Sequence, residues 1–252
     1  TVFKSALKPF EWQFQRHLNK AIKDPVLRAK LTPDYPLGCK RILISNEYYE
    51  TLARPNVDVV TDNIAEVTPT GIRTKDGQEH PVDAIIYGTG FQATDFLAPM
   101  KITGRDGVDL NQVWRDGAEA YLGMTVSGFP NLFLLYGPNT NLGHNSIVYM
   151  LESQFSYILD AVKTLQQRDL RFVDVRSQVQ GVYNRWVQKQ IKNTIWDAGC
   201  TSWYKTASGK NTNNWPGFTL VYRYKTRHFD SQDYELAVKS AQAVSPLQVV
   251  AA

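Results

Sequence analysis

Val82-Asp-Ala-Ile-Ile-Tyr87 runs straight into Gly88-Thr-Gly-Phe-Gln-Ala93. An apolar run ending in paired glycines reads as a buried strand and a tight turn. Gly88-x-Gly90-x-x-Ala93 formally matches the dinucleotide fingerprint with a final Ala. That fingerprint needs a helix whose amino end meets a pyrophosphate. Thr94–Met100 contains Pro99 and has no apolar period, so a long helix is not expected there. A plain glycine turn is one alternative. The favoured reading is a strand whose Gly88, Thr89 and Gly90 let the backbone pass close to a cofactor or a neighbouring domain.

Toward the N-terminus, Phe10, Phe14, Leu18 and Ile22 recur with helical period and predict helices over 1–32. Asp34–Gly38 is a loop by its Pro and Gly. Arg41–Ser45, Val57–Val60 and Ile64–Thr68 read as strands, with Tyr48–Leu52 a short helix between them. Gly71–Thr74 with Asp76-Gly77 predicts a hairpin turning at Asp-Gly.

Toward the C-terminus, residues 92–130 are irregular. Asn131–Tyr136 reads as a buried strand stopped by Gly137-Pro138-Asn139. Two amphipathic helices follow. One carries Ile147, Met150, Leu151, Phe155, Ile158, Leu159, Val162 and Leu165. The other carries Val175, Val179, Val182, Tyr183, Trp186, Val187 and Ile191. Residues 200–227 are aromatic and turn-rich, and Ala241–Ala252 has the weak pattern of a loose tail.

Composition narrows the function classes. The chain has 252 residues, 43% of them hydrophobic and 21% charged, so wholesale disorder is excluded. A net charge of +4 spread along the sequence gives no nucleic-acid signature. No apolar run reaches the roughly 18 residues of a membrane span, and the N-terminus has no signal-peptide core. Cys39 and Cys200 are too few for a disulfide framework or a zinc cluster, so reduced thiols and a cytoplasmic location are the expectation.

Several further stretches carry a resemblance. Asp83–Phe91, Tyr35–Leu43, Tyr48–Thr51, Arg54–Val57, Tyr121–Gly123, Gly128–Phe133, Gly137–Asn139 and Ser202–Tyr204 occur in the order found in Baeyer–Villiger monooxygenases, the class B flavin monooxygenases that use FAD and NADPH. Gly88 stands where that family has Ala. Gly209-x-Asn211 and Trp215–Phe218 are similar to the subgroup of 4-hydroxyacetophenone monooxygenase. The resemblance implies an α/β fold containing parts of two Rossmann-like dinucleotide-binding domains plus C-terminal helices. It implies the end of an NADPH domain over 1–88, the end of an FAD domain over 89–230, and a tail over 231–252. Family members begin with an FAD-binding G-x-G-x-x-G that this sequence lacks, and the first residue is Thr1. The expectation is therefore a C-terminal half whose partner is a missing N-terminal half of the same enzyme, or an inactive fragment without it.

The same resemblance implies the site. Arg41 aligns with the family's catalytic arginine. A guanidinium stays charged at any working pH and suits negative charge growing on a carbonyl oxygen. Lys40 falls where the family places a base near the NADPH 2′-phosphate. Gly137, Pro138 and Asn139 would pass the flavin, with Asn145 and Ser146 at the amino end of the following helix, although both are also ordinary N-cap residues. Trp203 would contact the nicotinamide cofactor, or else join an aromatic core with Trp196 and Trp215. His144 is left out of catalysis. The implied reaction inserts one oxygen atom from O2 into a ketone or related carbonyl. N- or S-oxygenation and alkane hydroxylation are the alternatives.

Overall fold

The computed structural model describes residues 7–143, 145–239 and 249–250. The chain separates into two compact units. One comprises Leu7–Tyr35 and Leu43–Phe91. The other is built from Pro36–Ile42 and the chain from Gln92 onward.

The first unit opens with helix α1 (Lys8–Ala21), followed by α2 (Pro25–Leu31), which the Asp24 carboxylate caps by accepting from Val26 N. The apolar stripe of α1 is only half used. Leu18 and Ile22 are fully buried, whereas Phe10 is exposed. Helix α3 (Tyr48–Leu52) packs on α1 through Tyr49, whose ring lies 6.1 Å from Phe14 and 5.8 Å from His17. Strands β1 (Ile64–Thr68), β2 (Gly71–Thr74) and β3 (Glu79–Pro81) form an antiparallel sheet in that order. Gly77, at φ +89°, makes the turn between β2 and β3, at the Asp-Gly position the sequence indicates.

Three expected strands of this part of the chain are not strands. Arg41–Ser45, Val57–Val60 and Val82–Tyr87 carry no ladder among the described residues. Leu43 and Ile44 are 86% and 96% exposed, and Ile86 is 95% exposed. The residue types suit a strand covered on both faces, but a strand exists only where a neighbour supplies its hydrogen bonds.

The second unit holds the larger core. It begins with β4 (Lys101–Ile102), which pairs with Val249–Val250, and the short α4 (Leu110–Val113). Ile102, Leu110, Trp114, Val126, Phe129 and Leu134 form one apolar cluster. Asn131–Tyr136 is not a strand either. Only Leu134 of its apolar residues is buried, while Leu135 and Tyr136 are nearly half exposed.

The two long helices are present as α5 (Ile147–Gln167) and α6 (Ser177–Ile191). Between them lies β5 (Leu170–Val175), which pairs antiparallel with β6 (Tyr234–Val238). Val175 thus ends a strand instead of starting the second helix, and a strand stands within the stretch read as a tail. Residues 240–248 and 251–252 of that stretch lie outside the described residues.

The buried face of α5 is rotated from the apolar one. Met150, Ser153, Gln154, Tyr157 and Ala161 face inward, while Phe155 and Leu159 are exposed. Polar groups win the inner positions because partners await them. Gln154 donates to Tyr222 Oη at 3.0 Å and accepts from Tyr136 N at 3.0 Å. The Tyr157 and Tyr234 hydroxyls lie 3.0 Å apart. Helix α7 (Thr219–Lys225) closes this core with Tyr222, against fully buried Trp215.

Candidate functional site

The second unit brings together three segments that lie far apart in sequence. The first is Cys39-Lys40-Arg41. Arg41 is exposed, yet its Nη1 donates to the Leu142 carbonyl at 3.0 Å. The same guanidinium lies close enough to Tyr204 for its charge to act on that hydroxyl. Burial pushes the Tyr204 phenol up, and Arg41 opposes that shift. Burial likewise raises the Tyr136 phenol, with Arg41 again opposing. A guanidinium tied by one nitrogen to a carbonyl, with two phenols in its field, keeps its charge at an exposed position.

The second segment is the loop before α5. Gly137, Pro138 and Asn139 are buried, so the loop is structural framework as well as a candidate contact. A side chain on Gly137 would strike the Gly123 carbonyl, so only glycine fits. Asn139 donates from Nδ2 to the carbonyls of Asn211 and Asn214, at 2.9 and 3.2 Å. Asn145 and Ser146 are exposed. The Ser146 hydroxyl caps α5 by accepting from Tyr149 N, and Asn145 Oδ1 accepts from Ser146 N at 2.7 Å. The amino end of a 21-residue helix is therefore open at this face, where its free N–H groups favour negative charge. His144 lies outside the described residues.

The third segment is Ser202-Trp203-Tyr204. Trp203 is 44% exposed, whereas Trp196 and Trp215 are 2% and 0% exposed, so the three tryptophans do not form one buried set. The Trp203 ring leans on Tyr204 at 4.4 Å. Asn213 Nδ2 reaches the carbonyls of Trp203 and Tyr204, at 3.4 and 3.3 Å, and Asn141 N donates to the Asn213 carbonyl at 2.9 Å. Asn141 in turn accepts from Tyr136 Oη at 2.8 Å. A net of asparagines thus joins the second segment to the third.

Gly88, Thr89 and Gly90 belong to the other unit, are exposed and lie in no helix or strand. Within the second unit the structure gathers Arg41, the loop before α5 and Trp203; the glycine pair falls in the other unit. Sequence reading missed Tyr136, the Leu142 carbonyl and Thr212–Asn214, and it singled out Asn211 only as a subgroup likeness. The unusual run Asn211-Thr-Asn-Asn214 was the available signal, since clustered asparagines ahead of a buried Trp imply paired amides. It also missed that Cys39 and Cys200 are joined as a disulfide, Cα to Cα 6.3 Å, which corrects the expectation of reduced thiols. A separation of 161 positions hides that proximity.

Comparison with known proteins gives this geometry a context. A Baeyer–Villiger monooxygenase of Pseudomonas aeruginosa is 50% identical over 232 residues, covering 91% of this chain and 44% of that protein. A Baeyer–Villiger monooxygenase of Streptomyces coelicolor is 46% identical over 224 residues, covering 88% of this chain and 43% of that protein. The chain is related to the class B flavin-containing monooxygenases. No family model matches it. It spans less than half the length of the curated relatives it matches. The crystal structure of OTEMO in complex with FAD and NADP superposes with a TM-score of 0.82 at 29% identity, over 94% of this chain and 45% of that one. Oxidized steroid monooxygenase bound to NADP gives 0.77 at 27% identity, over 89% and 43%. The fold is thus α/β with Rossmann-like dinucleotide-binding regions and C-terminal helices. Among the described residues no helix is long and apolar enough to cross a membrane.

Proposed function

We propose that this chain forms the carbonyl-facing part of a Baeyer–Villiger monooxygenase that uses FAD, NADPH and O2 to turn a ketone into an ester or lactone. The observation that carries the reading is Arg41, held by the Leu142 carbonyl, acting on the Tyr204 phenol next in sequence to half-exposed Trp203, and itself exposed. The residues fit the cofactors. The open amino end of α5, with Asn145 and Ser146, would suit the electron-rich edge of a reduced flavin, and the Gly137–Asn139 loop would contribute to holding it. Trp203 offers a flat face and an N–H donor for the nicotinamide nucleotide. Gly88, Thr89 and Gly90 would admit a cofactor close to the backbone.

Bound FAD, reduced by NADPH, supplies the activated oxygen. The chain supplies the charge. Arg41 stabilises negative charge on the carbonyl oxygen as the ketone is attacked, and its anchoring avoids reorganisation at that moment. We further assign 1–88 to the end of an NADPH domain, 89–230 to the end of an FAD domain and 231–252 to a tail, in a cytoplasmic enzyme of the 4-hydroxyacetophenone-type subgroup. The exposed apolar runs at Leu43–Ile44 and Ile86–Tyr87 are the surfaces that an N-terminal half of the enzyme would cover.

The test is a hybrid in which this chain replaces the matching part of the Pseudomonas aeruginosa relative. It is purified with FAD and given NADPH, O2 and a panel of ketones. Esters or lactones are expected. Sulfoxides or N-oxides without any ester would overturn the carbonyl reading. In the same hybrid, Lys40→Ala should weaken NADPH at least tenfold while leaving NADH within about twofold, because a lysine acts as a point charge on the extra phosphate. Equal losses in the two KM values would remove that role from Lys40.

A further inference from the structure

Cys39 and Cys200 sit at the roots of two of the three site segments. Cys39 directly precedes Lys40-Arg41, and Cys200 leads into Ser202-Trp203-Tyr204. Their bond joins these two segments covalently, close to where the Arg41 charge acts across them on the Tyr204 phenol. Residues 36–42 form no helix or strand, so side-chain and covalent ties must fix their position. Cys39 is fully buried, while Cys200 is partly exposed. Cys200 is therefore the more accessible of the two residues to an incoming thiolate.

We propose that Cys39 and Cys200 are a reversible redox-modification site, a clamp whose closed form fixes Arg41 against the Leu142 carbonyl and whose open form frees residues 36–42. A disulfide that operates in a reducing compartment is characteristically a transient or sensing one, which suits this placement. Opening needs a dithiol. One thiolate attacks Sγ of Cys200, the Sγ–Sγ bond breaks, and the electron pair leaves on Cys39 as thiolate. The second thiol then displaces Cys200 from the mixed disulfide. The dithiol is oxidised to a cyclic disulfide, and its two protons and two electrons end on the two cysteines. Closing needs a peroxide. Hydrogen peroxide converts the Cys200 thiol to a sulfenic acid with loss of one water, and condensation with the Cys39 thiol expels a second.

The clamp is tested on the chain itself, without flavin, so the result is independent of the oxygenase reading. The chain is treated with hydrogen peroxide, alkylated with iodoacetamide and digested with trypsin. Mass spectrometry should show the peptides 31–40 and 193–205 joined, and joined no longer after dithiothreitol. Limited tryptic cleavage of the folded chain after Lys40 or Arg41 should run at least tenfold faster in the reduced form. Cleavage after Lys75, in the other unit, should not change. Cys200→Ser should behave as the reduced form does under both conditions. Two alkylated cysteines after peroxide, or equal cleavage rates at Lys40 and Arg41 in the two redox states of the wild type, would overturn the proposal. The wild-type comparison holds even if the serine variant fails to fold.

Discussion

Arg41→Ala, made in the hybrid enzyme, should lower the rate of ester formation by about 10²–10³-fold, the scale expected when one preorganised donor to a developing oxyanion is removed. The loss should fall on kcat, with KM for NADPH nearly unchanged, because the guanidinium acts on charge that appears only as the ketone is attacked. Geometry explains why lysine should not replace it. Arg41 gives one N–H to the Leu142 carbonyl, acts on the nearby Tyr204 phenol and, being exposed, has further N–H groups to offer. An ammonium on a flexible stem has no planar fork to divide among three directions. Arg41→Lys should therefore recover only a small part of the lost rate. Consumption of NADPH should persist in both variants, uncoupled from ester. Ester formed by Arg41→Ala at the wild-type rate would remove Arg41 from the chemistry.

The same residue shows what a sequence discloses and what it withholds. Arg41 stands out in the sequence because its neighbours Tyr35–Leu43 resemble a family segment, yet nothing local shows that the Leu142 carbonyl holds it and that Tyr204 lies within reach of its charge. Those contacts span more than a hundred residues, and hydrogen-bond partners at that distance leave no periodic trace. The amphipathic helices α5 and α6 were legible for the opposite reason, since a helix stripe is a local pattern. Even there the buried face of α5 was misplaced. Burial followed Gln154 and Tyr157, whose partners Tyr222 and Tyr234 lie in distant elements. Apolar count alone pointed to Phe155 and Leu159. The unformed strands at Arg41–Ser45 and Val82–Tyr87 fail in another way. Composition reports that a segment suits a sheet, and only a neighbour makes it a strand.

The second large effect is on stability. Trp215→Ala should destabilise the second unit by about 3–5 kcal/mol, the usual cost of deleting a fully buried large aromatic side chain. Trp215 is 0% exposed, with Tyr222 and Trp186 at ring distances of 5.1 and 5.7 Å. Its Nε1 donates to the Phe218 carbonyl at 3.2 Å, and removing the indole leaves that acceptor without its donor. A loss of this size is a large fraction of the total for a domain. Urea unfolding followed by far-UV circular dichroism reads it as a drop in midpoint at constant slope. Trp203→Ala provides the contrast. Trp203 is 44% exposed, so its removal should cost far less stability than loss of Trp215 while weakening the nicotinamide nucleotide. The opposite pattern, a stable Trp215→Ala beside an unfolded Trp203→Ala, would reverse the two roles. The physical division is clear: Trp215 fills space that no other atoms occupy, whereas Trp203 presents a ring face that the fold leaves uncovered.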